Sequence, residues 1–370
     1  GALVWALAAG FLGHRVFSRA GAAHGSALLL LLGCTLPVAA WAVSGMETGV
    51  VTALSVFALG SGVRADVAAA LAAALRPELA PWCASVRLGL RLAEGAPLSR
   101  ASGSAALVLA AVALVGAVRV LLFGRAAPLA VFAKPSDLAH GVSYALHAFV
   151  QTGLPVLCLA PLSLWRGAPV ARAVTLAGAV HFVALALAGG DWMSLYRLAV
   201  PVLPSFILGA AELSRVAPRW ATWSRLALAF AMCCYLAAAV GPVARNVGPH
   251  RLRLVQQARA PLAGARSIAA LDVGWVGAAS TANILDLAGV TDETVAMLPG
   301  GHTSKRIDDG LLRARDVDAL VLLTAGEGLP GYARAVEQRV AALPSMATFV
   351  PVARLPLGGT AQSYVILRKP

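Results

Sequence analysis

Charge is scarce in this chain and negative charge scarcest. Of the 370 residues 13% are charged, with 17 Asp and Glu against 30 Lys and Arg, and no acidic residue precedes Glu47. Lysine numbers three, so the basic residues are nearly all arginine, a bias that points to a GC-rich genome more than to function. The five cysteines (Cys34, Cys83, Cys158, Cys233 and Cys234) all lie in apolar segments. No disulfide framework is implied, and the adjacent Cys233 and Cys234 read as packing residues. No His, Asp and Glu cluster has the spacing of a metal site, and His181, alone in an apolar run, reads as a packed, hydrogen-bonded histidine. Neither a zinc finger nor a basic recognition helix accompanies the net charge of +13, so nucleic acid is not among the expected partners. Residues 274–277, GWVG, lack the third glycine and the acidic partner of a dinucleotide fingerprint. No internal repeat is visible beyond alanine richness. There is no initiator methionine and the chain opens inside an apolar run, GALVWALAAGFLG, so it is expected to be a fragment lacking its amino terminus.

What is abundant is apolar length. Hydrophobic residues make up 59% of the chain and gather in blocks long enough to cross a hydrocarbon layer of about 30 Å as helices. Spans are expected at 26–43, 48–62, 104–123, 144–164, 168–188, 196–213 and 226–243, with residues 1–13 as the end of another. Segment 66–93 is broken by Arg76, Pro77, Glu78 and Pro81, which predicts a pair of short re-entrant or interfacial helices. Short cytoplasmic loops retain Lys and Arg. Loops 14–25, 63–103, 165–172 and 214–225 hold twelve arginines, Arg215 among them, and the opposite loops hold Arg125, Lys134 and Arg197. The asymmetry assigns the first set to the cytoplasm and everything after residue 243 to the other side.

From about residue 245 the apolar runs shrink to strand length: SIAALDV, ANILDL, DALVLLT, ATFVPVA and SYVILR, with helix-like pieces such as GYARAVEQRVAAL between them. The expected architecture is an α-helical multi-pass membrane domain, 1–244, followed by an extracytoplasmic α/β domain, 245–370. The tail's one dense polar run, GGHTSKRIDD at 300–309, is expected to be a solvated loop, with His302 a candidate for contact with an acceptor.

In this topology polar residues converge on the outer turns. WAVSGME supplies Trp41, Ser44, Gly45, Met46 and Glu47; Arg119 and Arg125 flank the start of another turn, in which AVFAKPSDLAHG supplies Lys134, Asp137 and His140; GGDWMSLYR supplies Asp191, Trp192, Tyr196 and Arg197. Any one of them reads equally as an interface anchor or a snorkelling cap. Three turns that each carry a polar cluster describe a pocket open to the outer surface.

WAVSGMETGVVTALSVFAL, ALRPEL, VRVLLFGRAAPLAVFAKPSDLAHGVSY and GGDWMSLYRLAVPVLP, in that order and spacing, resemble the bacterial GT-C membrane glycosyltransferases. The likeness is to the cell-wall arabinofuranosyltransferases and, more distantly, to the aminoarabinose-lipid A transferases and protein mannosyltransferases. In the tail, ILDLAGVTDETVA and GGHTSKR are similar to their exported domain. The resemblance implies an enzyme of the bacterial cytoplasmic (inner) membrane that transfers a sugar from a polyprenyl-phosphate donor to a glycan, lipid or protein acceptor at the outer face. It calls for no cofactor, and a divalent metal stays open. Substrate contacts fall on Glu47, Arg119, Lys134, Asp191, Trp192, Tyr196, Arg197 and His302. The family's base is an acidic residue in the first outer loop, which has no counterpart before Glu47 and is expected upstream of Gly1. Arg76, Pro77 and Glu78 match a frequent family motif, yet in the broken segment they read as a structural ion pair. A transporter or flippase of lipid-linked sugars, or a non-catalytic scaffold of envelope assembly, is the alternative.

The arginine asymmetry predicts that alkaline phosphatase fused after residue 250 is active and that a fusion at about residue 168 is inactive; the reverse pattern overturns the orientation.

Overall fold

A computed structural model describes residues 2–370 except positions 43, 45, 136, 158, 215, 327, 328 and 359, so Gly45, Cys158 and Arg215 lie outside the described residues. Contacts divide the chain into two compact units, Gly1–Ala126 with Ser136–Ala239, and Ala127–Pro135 with Val240–Pro370. The first is helical. It contains α1 (Ala2–Gly33), α2 (Leu36–Ala42), α3 (Glu47–Phe57), α4 (Gly62–Leu75), α5 (Ala80–Ala93) and α6 (Leu98–Phe123). After α7 (Leu129–Ala133), which belongs to the second unit, come α8 (Leu138–Ala148), α9 (Leu154–Leu157), α10 (Ala160–Arg166), α11 (Pro169–Ala188) and α12 (Leu203–Leu213). The unit boundary falls inside α13 (Arg219–Ala258).

Among the described residues five helical segments are long and apolar enough to cross a membrane, Leu3–Gly33, Leu98–Phe123, Pro169–Ala188, Ser194–Leu213 and Arg219–Ala258, and α2 with α3 makes a sixth only as a bent pair. The chain is a helical membrane protein with fewer straight spans than its apolar blocks suggest. The expected span 26–43 is interrupted between Gly33 and Leu36, where Pro37 opens a new helix. The expected span 48–62 is the 11-residue α3, about 16 Å long. Block 144–164 is divided by a π-helical turn, Phe149–Gly153, and α10 restarts with Pro161 in its first turn.

α1 is not straight either. Gly21 has φ 71° and ψ 175°, an extended left-handed geometry natural only to glycine. A straight helix would separate residues 17 and 25 by about 12 Å, whereas a carbon placed on Gly25 would lie 3.4 Å from Phe17 Cα. The two arms therefore fold back on each other within the expected loop 14–25, and Arg19 in this turn pairs with Glu212 at the end of α12.

α3, α4 and α5 organise both ends of the helical unit. Asp66, 4% exposed near the start of α4, accepts from Arg87 Nε at 2.7 Å and pairs with Arg91, both on α5. Arg87 also donates to the Ala58 and Gly60 carbonyls at 2.8 Å, which satisfies the last turn of α3. α4 and α5 are thus antiparallel, and their tip, Arg76–Leu79, lies at the opposite end, where Arg76 meets Glu47 at the start of α3. This corrects one assignment: Arg76 is on the side of Glu47 and not on that of Arg87, leaving eleven basic residues against four. The charge asymmetry survives the change.

The second unit is an α/β domain. Its strands are β1 (Ser267–Ala270), β2 (Asn283–Asp286), β3 (Ala319–Gly326), β4 (Leu329–Tyr332), β5 (Val350–Pro356) and β6 (Ser363–Arg368). The order is β2-β1-β3-β6-β5, with β4 on β3; β1 is parallel to β2 and β3, and the other pairs are antiparallel. α14 (Val273–Ala279) connects β1 to β2, α15 (Glu293–Ala296) and α16 (Asp309–Ala314) lead to β3, and α17 (Ala335–Ala341) follows β4. β3 is buried on both faces: Ala319, Val321 and Leu323 pack with Trp275 and Tyr364, and Leu320 and Leu322 with Leu285 and Val336.

Removing the charge of Asp66 leaves a fully buried arginine without its partner, so Asp66→Asn is expected to cost about 3–5 kcal/mol. Glu94→Gln, at a 33% exposed pair with Arg91, is expected to cost under about 1 kcal/mol. Thermal melting in detergent separates the two; equal effects would show that Asp66 does not hold the helices.

Candidate functional site

The polar end of the helical unit is built on the turn that follows α11. Gly189 and Gly190 have φ of 86° and 71°, which lets the chain reverse where an L side chain is strained. A carbon on Gly190 would come within 2.6 Å of Tyr144 Cβ, so the second glycine also permits close approach to α8. Leu195 and Tyr196 then adopt φ of 60° and 48°. Such geometry costs on the order of 1–3 kcal/mol per residue and persists only where the surroundings impose it.

Four contacts impose it here. Trp41 Nε1 donates to the Leu195 carbonyl at 3.0 Å. Tyr144 Oη accepts from Leu198 N at 3.2 Å, and the His181 ring meets the Leu198 carbonyl through Nε2 at 2.9 Å. Arg197 closes the turn on Asp191, with Nε at 3.0 Å and Nη2 at 2.9 Å from the same Oδ2. The expectation that Asp191 and Arg197 face different groups is therefore corrected: they are one ion pair, 8% and 18% exposed. Asp191 Oδ1 accepts from Trp192 N at 2.8 Å, so both carboxylate oxygens serve the turn.

The aromatic residues sort by depth. Trp192 is 57% exposed and stacks on His140, centroids 4.1 Å apart and planes within 9°. Tyr196 tilts against Tyr144 at 5.6 Å. Trp41 is buried, and the Arg197 guanidinium lies 5.9 Å from its ring centroid, within cation-π range.

A second arginine lies at the same end. Arg76, 5% exposed, pairs with Glu78, donates to Thr48 Oγ1 at 3.2 Å and reaches Glu47 at 3.7 Å. The α2–α3 region packs against the turns at Ser194–Tyr196 and Val200–Val202. Glu47, with its side chain 42% exposed, is more open than Glu78 at 25% or Asp191 at 8%.

Of the residues expected to contact substrate, Glu47, Asp191, Trp192, Tyr196 and Arg197 are gathered here. Arg119 is half-buried on α6 with no hydrogen bond or ion pair among the described residues. Lys134 follows α7 in the second unit. His302 is half-buried in the second unit, beside a run that is not simply solvated. Lys305 is 1% exposed and donates to the Ala296 and Leu298 carbonyls at 2.7 and 3.0 Å. Burial lowers its basicity, and it holds its loop together. Thr48, Arg76, Tyr144 and His181 were not among the expected site residues. The signal for Arg76 was the ALRPEL stretch, which the assumed topology placed on the wrong side.

No family model, curated protein or solved structure matches the chain.

The Asp191 and Arg197 pair predicts non-additive mutants. Asp191→Ala and Arg197→Ala are each expected to cost about 1–3 kcal/mol, and the double variant little more than the worse single. Additive losses in detergent melts would show that the pair does not hold the turn.

Proposed function

We propose that the chain belongs to an enzyme that moves a sugar from a polyprenyl-phosphate carrier to a glycan, lipid or protein acceptor, at the outer face of the bacterial cytoplasmic membrane. On this reading the second unit is extracytoplasmic. The observation that carries it is Arg197, clamped between Asp191 and Trp41 on a strained turn at the end of apolar helices. Arginine has five N–H donors, and two are spent on Asp191, so among the described residues its Nη1 group makes no hydrogen bond. A fixed guanidinium at that depth suits a lipid-linked phosphate, whose charge grows as its bond to the sugar breaks.

The acceptor hydroxyl attacks the anomeric carbon, the carbon–oxygen bond to phosphate breaks, and the hydroxyl proton passes to a base. Of the three carboxylates that pair with arginines at this end Glu47 is the most available for contact with a hydroxyl, because Asp191 and Glu78 are closely tied to theirs. The family resemblance puts the base itself in an acidic pair of the first outer loop.

The test is transfer from a panel of radiolabelled polyprenyl-phosphate sugars by the full-length protein in detergent. Asp191→Asn is expected to reduce kcat/KM about tenfold or more, equivalent to about 1.4 kcal/mol. Arg197→Lys is expected to raise donor KM, since a point charge replaces a fork. No transfer from any donor, or normal specific activity in both folded variants, removes the reading.

A further inference from the structure

The second unit holds a cleft that the transfer chemistry leaves unused. With strand order β2-β1-β3, the chain leaves β1 toward β2 and returns to β3 on the other side of β1. The crevice at the carboxyl ends of strands around such a reversal is where open α/β sheets place ligands. Here that end carries a cleft of about 330 Å3, lined by Asp272 and Gly274 after β1, Ala288 and Val290 after β2, and Arg251 of α13.

Asp272 stands at the N-cap of α14, where an aspartate ordinarily accepts from the first helical turn, but its side chain makes no such bond. Its Oδ2 accepts instead from Arg334 Nη2 and from Tyr364 Oη, each at 2.7 Å. Tyr364 Oη in turn accepts from Arg251 Nη1 at 3.3 Å. Burial, with Asp272 adding to it, raises the Tyr364 phenol above its ordinary value and keeps it a donor. Asp272 Oδ1 has no hydrogen-bond partner among the described residues, although the residue is partly open to solvent. Beneath it Trp275, 5% exposed, tilts against Tyr364 at 4.9 Å, and its buried Nε1 has no acceptor among the described residues. A buried donor without a partner is costly.

The charges select the ligand. Arg334 is shared between Asp272 and Glu337. Asp286 is consumed by its own loop, accepting from Ala288 N, Thr291 N and Thr291 Oγ1. Three carboxylates against two guanidinium groups leave no positive excess for an anion. An open carboxylate oxygen near a guanidinium with unused N–H groups matches adjacent hydroxyls, which both donate and accept.

We propose that this cleft binds a neutral polyhydroxylated ligand, a sugar residue of a glycan, with Asp272 Oδ1 accepting from one hydroxyl and Arg251 donating to its neighbour. The choice of a glycan over other polyols rests on the transfer reading; the pattern of donors and acceptors does not.

The purified full chain in detergent, without lipid-linked donor, is titrated by calorimetry with neutral oligosaccharides and with uronate-containing counterparts. At least one neutral oligosaccharide is expected to bind, and Asp272→Asn to weaken it about tenfold or more. Because that change also loosens Arg334, Val290→Trp, at a rim position 37% exposed, serves as an independent block and is expected to abolish binding without touching the network. Binding of acidic oligosaccharides alone, no binding, or binding that survives Val290→Trp overturns the site. Binding without transfer keeps the cleft and removes the enzyme reading; transfer without binding does the reverse.

Discussion

The Asp66 carboxylate, held between Arg87 and Arg91, is the interaction on which the helical unit depends, because it lies where α3, α4, α5 and α6 meet. Charges among apolar helices are tolerated only when paired and hydrogen-bonded. Here one carboxylate binds two guanidinium groups, and Arg87 spends further donors on carbonyls that the end of α3 leaves open. α4 and α5 are therefore locked antiparallel, and their tip is delivered to the far end of the unit. The placement of Arg76 beside Glu47 and Thr48 follows from an ion pair at the other end of the same helices.

At that far end the same rule gives a different result. Asp191 and Arg197 are six residues apart, which in a helix would put them about 9 Å apart along the axis and on different faces. Two left-handed residues, Leu195 and Tyr196, shorten the path and bring them together. The cost of that geometry is offset by Trp41, Tyr144 and His181, each bonded to the turn. A solvated loop would relax out of this conformation; one held from three helices keeps a guanidinium pointing in a fixed direction.

Much of the fold was legible in the sequence. All five apolar runs of the tail became strands, because short apolar runs bounded by turn residues mark strands of a buried sheet; β4, with a proline and two glycines near it, carries no such pattern. The long blocks at 104–123 and 168–188 became α6 and α11. What was illegible was the breaking of blocks by single residues, as at Gly21 and Pro37, since mean hydropathy is blind to backbone geometry. The candidate site was legible as a set of residue types, with Asp191, Trp192, Arg197 and Glu47 all at the polar end. Its wiring was not, because the pairing of Asp191 with Arg197 depends on two dihedral angles that no propensity anticipates in Leu and Tyr.

The distribution of charge bears on the choice between transfer and transport. A carrier that alternates its access holds substrate near mid-membrane, at broken helices whose polar groups exchange partners. Among the described residues the ion pairs of this unit lie at the two ends: Arg19 with Glu212 and Asp66 with Arg87 and Arg91 at one, Arg76 with Glu78 and Asp191 with Arg197 at the other. His181, fully buried in α11, is committed through Nε2 to the Leu198 carbonyl, so it braces the turn. Groups that brace a rigid end favour chemistry performed at that end over passage through the bundle. On the proposed reading the lipid tail of a donor would need only the apolar helix faces beside it, while its phosphate would meet an arginine braced by Asp191.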